Sequence, residues 1–480
     1  MDPTMPNLYG EISEFAERYY HIAKTGPILN HPSKKRLSTI ENNTPPKAGR
    51  LIRDVIQEAE EILSYQLSTG HPRNFAFIPT PVSPVSWMGD AITSAYNPFG
   101  GSSVSGAGVC AVERSLIAWI AERFGLPPSA GGQFVSGASM ACLTACTVAR
   151  DQRLNDHTRC KGVAYVSEET HFCTRKALHI IGLLDYQIRT IRCDAAFHMN
   201  VDHLRQAITE DLEKGLSPFL VVATCGTTST GAIDHLDQIA DIARRHKLWL
   251  HVDAAYGGSV AFSSTHRKLL NGIERADSIA WDAHKWLFQT FSCGTILFRE
   301  KSHALKSFAS TANFCRDIED EEDPHNPWNY GIELTRPARH MKLWFFLQVL
   351  GMNRVDQMIG RGFELLDLAV RELNKLPHWV VMAPPSLAIF NFRFAPENVN
   401  QGNLDKINER VSKELIARNA ACIITTRVRG VVGLRMCTIN PRTSDEDICR
   451  VVKELDHAAH AVYKDFRAAE TGMTKDAGKV

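Results

Sequence analysis

Two short apolar runs end in residues that could do chemistry together. Leu248–Val252 leads into Asp253 within His251-Val252-Asp253-Ala254-Ala255-Tyr256, and Ser278–Trp281 leads into Asp282-Ala283-His284-Lys285. Each run has the length and apolar character of a buried parallel strand. Ligands of open α/β sheets collect beyond the C-terminal ends of such strands. One edge therefore presents a carboxylate and an amine. Pyridoxal phosphate needs that pair: a lysine amine to bind its aldehyde, and a carboxylate that keeps the pyridine nitrogen protonated as an electron sink.

The elements that must position these residues follow from periodicity and punctuation. Phe219–Ala223 reads as a strand ending in the turn Thr224–Gly231. Asp234 is then placed to cap a helix whose Leu236, Ile239, Ala240 and Ala243 share one face. Strand, turn, helix and strand make a βαβ unit, hence a mostly parallel sheet with right-handed crossovers. Gly162–Ser167 is another strand, with His171 shortly beyond it. Phe134–Ser139 turns through small residues into a helix reaching Arg150. A helix N-terminus of that kind offers free N–H groups and a favourable dipole to a phosphate.

Helices are also expected over Tyr9–Lys24, Gly49–Ser68 and Val109–Phe124, and from Pro337 onward. His71–Pro81 should run extended, because its prolines disfavour helix. Gly294–Phe298 is a further strand, and Asp317–Pro327 is an acidic run without periodicity. Leu387–Phe394, Ile423–Val428 and Val431–Cys437 predict a small antiparallel sheet, followed by a helix from Ser444 and a frayed tail from Thr471.

The motif Asp282-Ala283-His284-Lys285-Trp286, with His251–Tyr256 before it, resembles the group II pyridoxal-phosphate decarboxylases of the aromatic-amino-acid and glutamate type. The resemblance covers nearly the whole chain. It implies a fold-type I α/β enzyme with a mostly parallel central sheet. Residues 1–83 would form an N-terminal helical arm, 84–355 the large cofactor-binding domain and 356–480 a small C-terminal α/β domain. It also implies a homodimer with shared active sites. In that likeness Lys285 carries the cofactor as a Schiff base and Asp253 pairs with the ring nitrogen. Ala255 packs beneath the ring, His171 stacks above it, and Thr228 sits near its hydroxyl. Ala138, Ser139 and His284 would hold the phosphate. Two departures stand out: Met140 where the family often has glutamate, and Asp282 where animal members have asparagine.

On the substrate side, Trp328–Arg339 resembles bacterial tryptophan decarboxylases. By that likeness Trp328 and Leu334, with Thr335, wall the substrate side chain across the dimer, opposite Phe77, Pro79 and Thr80. Phe99 replaces a histidine there. The implied reaction is decarboxylation of an aromatic L-amino acid (tryptophan, phenylalanine or tyrosine) to its amine. Phe314 aligns with the loop tyrosine that delivers a proton in the family, and phenylalanine has none to give. Members with this replacement tend to admit O2 and release an aldehyde, ammonia and hydrogen peroxide; Tyr330 or a water is the alternative donor. Aminotransfer is a third reading, with Arg442 as its carboxylate clamp. A non-catalytic relative is disfavoured by the presence of Lys285, Asp253 and His171.

Composition is consistent with an enzyme of small molecules. The 480 residues suffice for two or three packed regions, and 44% hydrophobic with 22% charged content is ordinary for a globular protein. A formal net charge of +1 makes no electrostatic case for nucleic acid or an anionic membrane. The 12 cysteines lack zinc-type spacing, so no metal is expected; Cys142 and Cys146, four apart on a helix, read as core thiols. A reducing, cytoplasmic setting is the expectation.

Overall fold

The computed structural model describes residues 8–310 and 326–476. Seven strands form the central sheet: β1 (Gly131–Val135), β2 (Gly162–Ser167), β3 (Ile188–Ile191), β4 (Ser217–Thr224), β5 (Trp249–Asp253), β6 (Ser278–Asp282) and β7 (Gly294–Phe298). Their order is β1-β7-β6-β5-β4-β2-β3. The run from β6 to β3 is parallel, while β7 lies antiparallel to both neighbours. β2, β5, β6 and β7 are buried along their whole length. Both faces of the sheet are covered, which is why these strands are continuous apolar runs rather than alternating ones.

The helix Leu236–His246 buries Leu236, Ile239, Ala240, Ile242 and Ala243. Asp234 does not cap it. His235 occupies the cap position without a side-chain bond, and Asp234 turns inward to accept the N–H groups of Met199 (2.6 Å) and Thr224 (2.7 Å). Two buried amides, one at the end of β4 and one in the turn after β3, outcompete a helix terminus that water can satisfy.

The smaller sheet contains β8 (Trp379–Val381), β9 (Ile389–Phe394), β10 (Ile424–Val428) and β11 (Val431–Cys437), ordered β10-β11-β9-β8 and fully antiparallel. Its own core includes helices Gln401–Ala417 and Asp445–Asp476 and, from far upstream, Phe75. Phe75 N–H donates to the Cys422 carbonyl (2.9 Å), and Cys437 N–H donates to the Phe75 carbonyl (3.1 Å). The His71–Pro81 run is thus docked on this sheet, but it is not extended throughout, because Phe77 adopts φ 52°.

Other boundaries moved for identifiable reasons. The helix expected over Gly49–Ser68 is Ile52–Ser64, because Leu67 leaves it to pair with Leu29. The long helix starts at Met341 and reaches Leu373, kinked at Gly351 (φ 67°), a conformation that glycine adopts without Cβ strain. The strand expected over Leu387–Phe394 is β9 and starts at Ile389, since Leu387 and Ala388 both take positive φ in the turn before it. The last helix continues to Asp476, so the backbone from Thr471 to Asp476 is helical, not frayed. Most of the acidic run Asp317–Pro327 lies outside the described residues; Pro327–Tyr330 forms a 3-10 turn.

Candidate active site

The C-terminal ends of β2, β4, β5 and β6 open into a cavity of about 420 Å³. Its lining brings together Ala138, Ser139, His171, Thr228, Asp253, Ala255, Asp282, His284 and Lys285. Residues separated by almost 150 positions meet because every parallel strand delivers its last residue to the same edge.

Asp253 ends β5 and is nearly buried; its Oδ1 accepts the Ala255 N–H at 3.1 Å. Asp282 ends β6, with Oδ2 at 3.3 Å from Lys285 Nζ and 3.6 Å from His284 Nε2. Burial pushes the His284 imidazole below its ordinary range, against the pull of Asp282, so the neutral ring is favoured. His284 Nδ1 in turn accepts the Cys293 N–H at 3.4 Å. His171 caps the helix Phe172–Ile180 by accepting the Cys173 N–H at Nδ1. Contact with Cys173 raises the His171 imidazole, opposing the effect of burial.

Several features suit a phosphorylated, polar ring. The helix Ala138–Arg153 begins at Gly137 with no side chain capping it, so its first amides face the cavity end unclaimed by a cap. A Cβ on Gly137 would lie 3.3 Å from His284 and 3.7 Å from Asp282 Oδ1. Buried Asp282 Oδ1 and Thr224 Oγ1 have no hydrogen-bond partner among the described residues. Such orphaned acceptors and hydroxyls are what a polar ligand satisfies. Gly226 closes the wall at φ 95°, where a Cβ would come within 2.9 Å of Tyr256.

Ile78, Cys173 and Phe291, which belong to none of the motifs, also line the cavity, as does Tyr256 at the end of the His251–Tyr256 motif. Tyr256 stacks on Trp286 (centroids 5.2 Å apart), and its hydroxyl donates to the Leu387 carbonyl, tying the two sheets together. Arg435 is 3% exposed in β11; its Nε donates to the Thr228 carbonyl (2.8 Å) and Nη1 to the Phe77 carbonyl, while Nη2 is buried without a partner. A lone arginine in an otherwise apolar strand was the available signal.

The expected substrate residues fall elsewhere. Phe77, Pro79, Thr80, Phe99, Trp328, Leu334 and Thr335 do not line this cavity. Pro79 and Thr80 are buried, Phe77 is exposed, and Phe99 meets Trp328 with ring centroids 6.2 Å apart. Arg442 is remote from it as well. Its guanidinium donates to the Val82 carbonyl (2.7 Å) and covers Tyr20, within an apolar cavity under the N-terminal helix. Phe314 lies outside the described residues. Cys142 and Cys146 are buried, 3.9 Å apart between sulfurs.

Residues 34–395 match the pyridoxal-dependent decarboxylase conserved domain. An aromatic-L-amino-acid decarboxylase of Bacillus atrophaeus is 37% identical over 394 residues, covering 82% of this chain and 82% of that protein. A phenylacetaldehyde synthase of Petunia hybrida is 27% identical over 90% of this chain and 89% of its own length. Among solved structures, Oryza sativa TDC with PLP and tryptamine superposes with a TM-score of 0.90 at 24% identity, over 94% of this chain and 97% of that one. The sheet order and this superposition are those of fold-type I pyridoxal enzymes. With three-quarters of its length inside the family domain, the chain belongs to the pyridoxal-dependent decarboxylase family.

Proposed function

We propose that this enzyme removes the α-carboxylate of an aromatic L-amino acid, releasing carbon dioxide and the amine. The observation that carries this reading is the convergence of Lys285, Asp253, His171 and an uncapped helix N-terminus on one cavity. Bound pyridoxal phosphate supplies an electron sink for the pair of electrons left when carbon dioxide departs. The rest falls to the chain itself. Lys285 would hold the cofactor through its side-chain amine. Asp253, a buried carboxylate at a strand end, would keep a ring nitrogen protonated. Ala255, a small side chain, would leave room for the ring, and His171 would pack against it. Ala138, Ser139 and His284 would hold the phosphate, and Thr228 would offer its hydroxyl to the cofactor's polar edge.

The aromatic preference draws on Trp328 and Leu334, with Thr335, which in this reading wall the site of a second subunit, opposite Phe77, Pro79 and Thr80; Phe99 adds to the apolar character of the pocket. The chain is accordingly assigned to a homodimer, with residues 1–83 as the embracing arm, 84–355 as the large domain and 356–480 as the small one. A cytoplasmic setting suits the free Cys173 thiol in the cavity lining. No described helix is long and apolar enough to cross a membrane.

Phe314 favours a second reading, in which O2 and water are consumed and the products are the aldehyde, carbon dioxide, ammonia and hydrogen peroxide. The test is product analysis on a panel of aromatic, acidic and basic L-amino acids, under air and under argon. Amine from aromatic substrates in both atmospheres supports decarboxylation. Peroxide and aldehyde under air, converted to amine by Phe314→Tyr, supports the oxidative reading. Turnover confined to acidic or basic substrates would overturn the aromatic assignment.

A further inference from the structure

The turn after β3 and the residue before helix Leu236–His246 bring three ligand-type side chains together, outside the cofactor cavity. Asp194 Oδ2 lies 3.2 Å from His198 Nδ1 and 3.8 Å from His235 Nε2. One donor atom from each residue falls within 4.8 Å of the other two. The two imidazoles meet edge to face, with centroids 4.5 Å apart.

The backbone holds this arrangement in place. Cys193 and Met199 close the turn as an antiparallel bridge. Asp194 Oδ1 accepts the N–H groups of Ala196 (2.8 Å) and His198 (3.0 Å), which leaves Oδ2 facing the imidazoles. Asp234 then fixes the second half. It precedes His235 in sequence, and its Oδ1 takes the N–H of Met199, which follows His198. The two segments carrying the ligands are therefore cross-linked immediately beside them. From the smaller sheet, Arg429 donates to the Asp194 carbonyl (2.8 Å) and covers the Phe197 ring at 4.8 Å.

We infer that Asp194, His198 and His235 form a binding site for one divalent transition-metal ion of the zinc type. Ligand bonds of about 2.0–2.2 Å in a tetrahedral shell put neighbouring donors roughly 3.3 Å apart, so the 3.2 Å pair is already in position. His235 has the more exposed side chain and needs only a small rotation to close its 3.8 Å gap. Two imidazoles and one carboxylate suit zinc, cobalt or nickel, whereas calcium and magnesium take six or more oxygens. The open side of the site leaves the fourth position to water. A bound ion would brace the turn on which Arg429, from the β10–β11 connection, rests.

The experiment uses untagged, metal-stripped holoenzyme titrated with Zn2+ by calorimetry, with Co2+ absorption as an independent probe. Wild type should bind one ion per chain at this site and unfold at higher temperature when loaded. His198→Ala and His235→Ala should each weaken binding more than about tenfold, since losing a direct ligand exceeds the 10–100-fold typical of outer-shell partners. The same variants should lose the Co2+ d–d bands and the thermal shift. His157→Ala, at an exposed histidine elsewhere, should bind as wild type. Visible absorbance of the bound cofactor checks the fold of each variant, and Asp194→Asn serves as a third ligand test. Absence of binding by wild type, or equal affinity in the ligand variants, overturns the assignment.

Discussion

The cavity around Lys285 and the aromatic group of Phe77, Phe99, Trp328 and Leu334 are built in opposite ways. In the cavity, Asp253 and Asp282 are buried at 6% and 2% exposure, and each sits on the last residue of a central strand. In the aromatic group, Phe77 and Leu334 are 62% and 63% exposed, and all four residues belong to loops or short turns. Burying a phenylalanine or leucine side chain stabilises by about 1.5–3 kcal/mol. Leaving two of them in water on one chain makes sense where another surface covers them. Cofactor chemistry demands fixed polar geometry, which strand ends provide; side-chain recognition needs an apolar wall, which a second subunit can supply.

The largest expected effect breaks the cavity alone. Lys285→Ala should abolish turnover and the visible absorbance of lysine-bound cofactor, with the chain still folded. Borohydride-stable attachment of cofactor in that variant would remove Lys285 from its role. Mixing Lys285→Ala subunits with subunits lacking residues 313–325 should restore activity from two inactive parents. Random pairing gives half hybrids with one complete site each, so recovery should reach about a quarter of wild type. Verified hybrids without activity would mean that each site belongs to one chain.

A third test loosens the aromatic group from inside. Arg336 and Glu113 form a buried pair, with Arg336 Nη1 at 3.0 Å and Nη2 at 2.5 Å from the carboxylate oxygens. Arg336 also donates to the Gly100 carbonyl (2.8 Å), so it joins the Phe99 loop to the Leu334 segment. Arg336→Met leaves the buried Glu113 carboxylate without its guanidinium, keeping only the Phe134 N–H (2.8 Å) and His340 at 4.0 Å, and should destabilise by about 3–5 kcal/mol in denaturant melts. Cofactor affinity should change far less than substrate KM. An unchanged KM would detach this group from recognition.

The smallest effect concerns pH and tests the strand layer under the cavity. His251 is fully buried on β5 beside Ser278 Oγ (2.9 Å), and burial pushes it down from 6.5 to about 4. Its folded state resists protonation, so its contribution is present above pH 6.5 and is lost as pH falls toward 4, about 3 kcal/mol in all. Asp234 works the other way: burial raises it from 3.8 to about 6, so stability declines as pH rises through that window. The difference between wild type and His251→Gln isolates the histidine. Equal pH slopes for the two proteins between 6.5 and 4 would contradict the assignment.

The sequence by itself determined the chemistry-bearing positions that lie beside strand ends. Asp253, Asp282 and Lys285 are legible because a buried parallel strand is a short apolar run, and the residue after it must sit at the ligand edge. The helix Ala138–Arg153 was equally legible from its small-residue entry. Tertiary structure alone decided what depends on long-range competition. Asp234 looked like a helix cap, but the buried amides of Thr224 and Met199 claimed it. Arg442 looked like a carboxylate clamp, yet the Val82 carbonyl and Tyr20 hold it away from the cavity. Phe75 gave no hint that it would enter the small sheet's core some 350 residues downstream. Periodicity and motif spacing record local preferences, whereas a buried polar group goes to whichever partner the folded chain brings within reach.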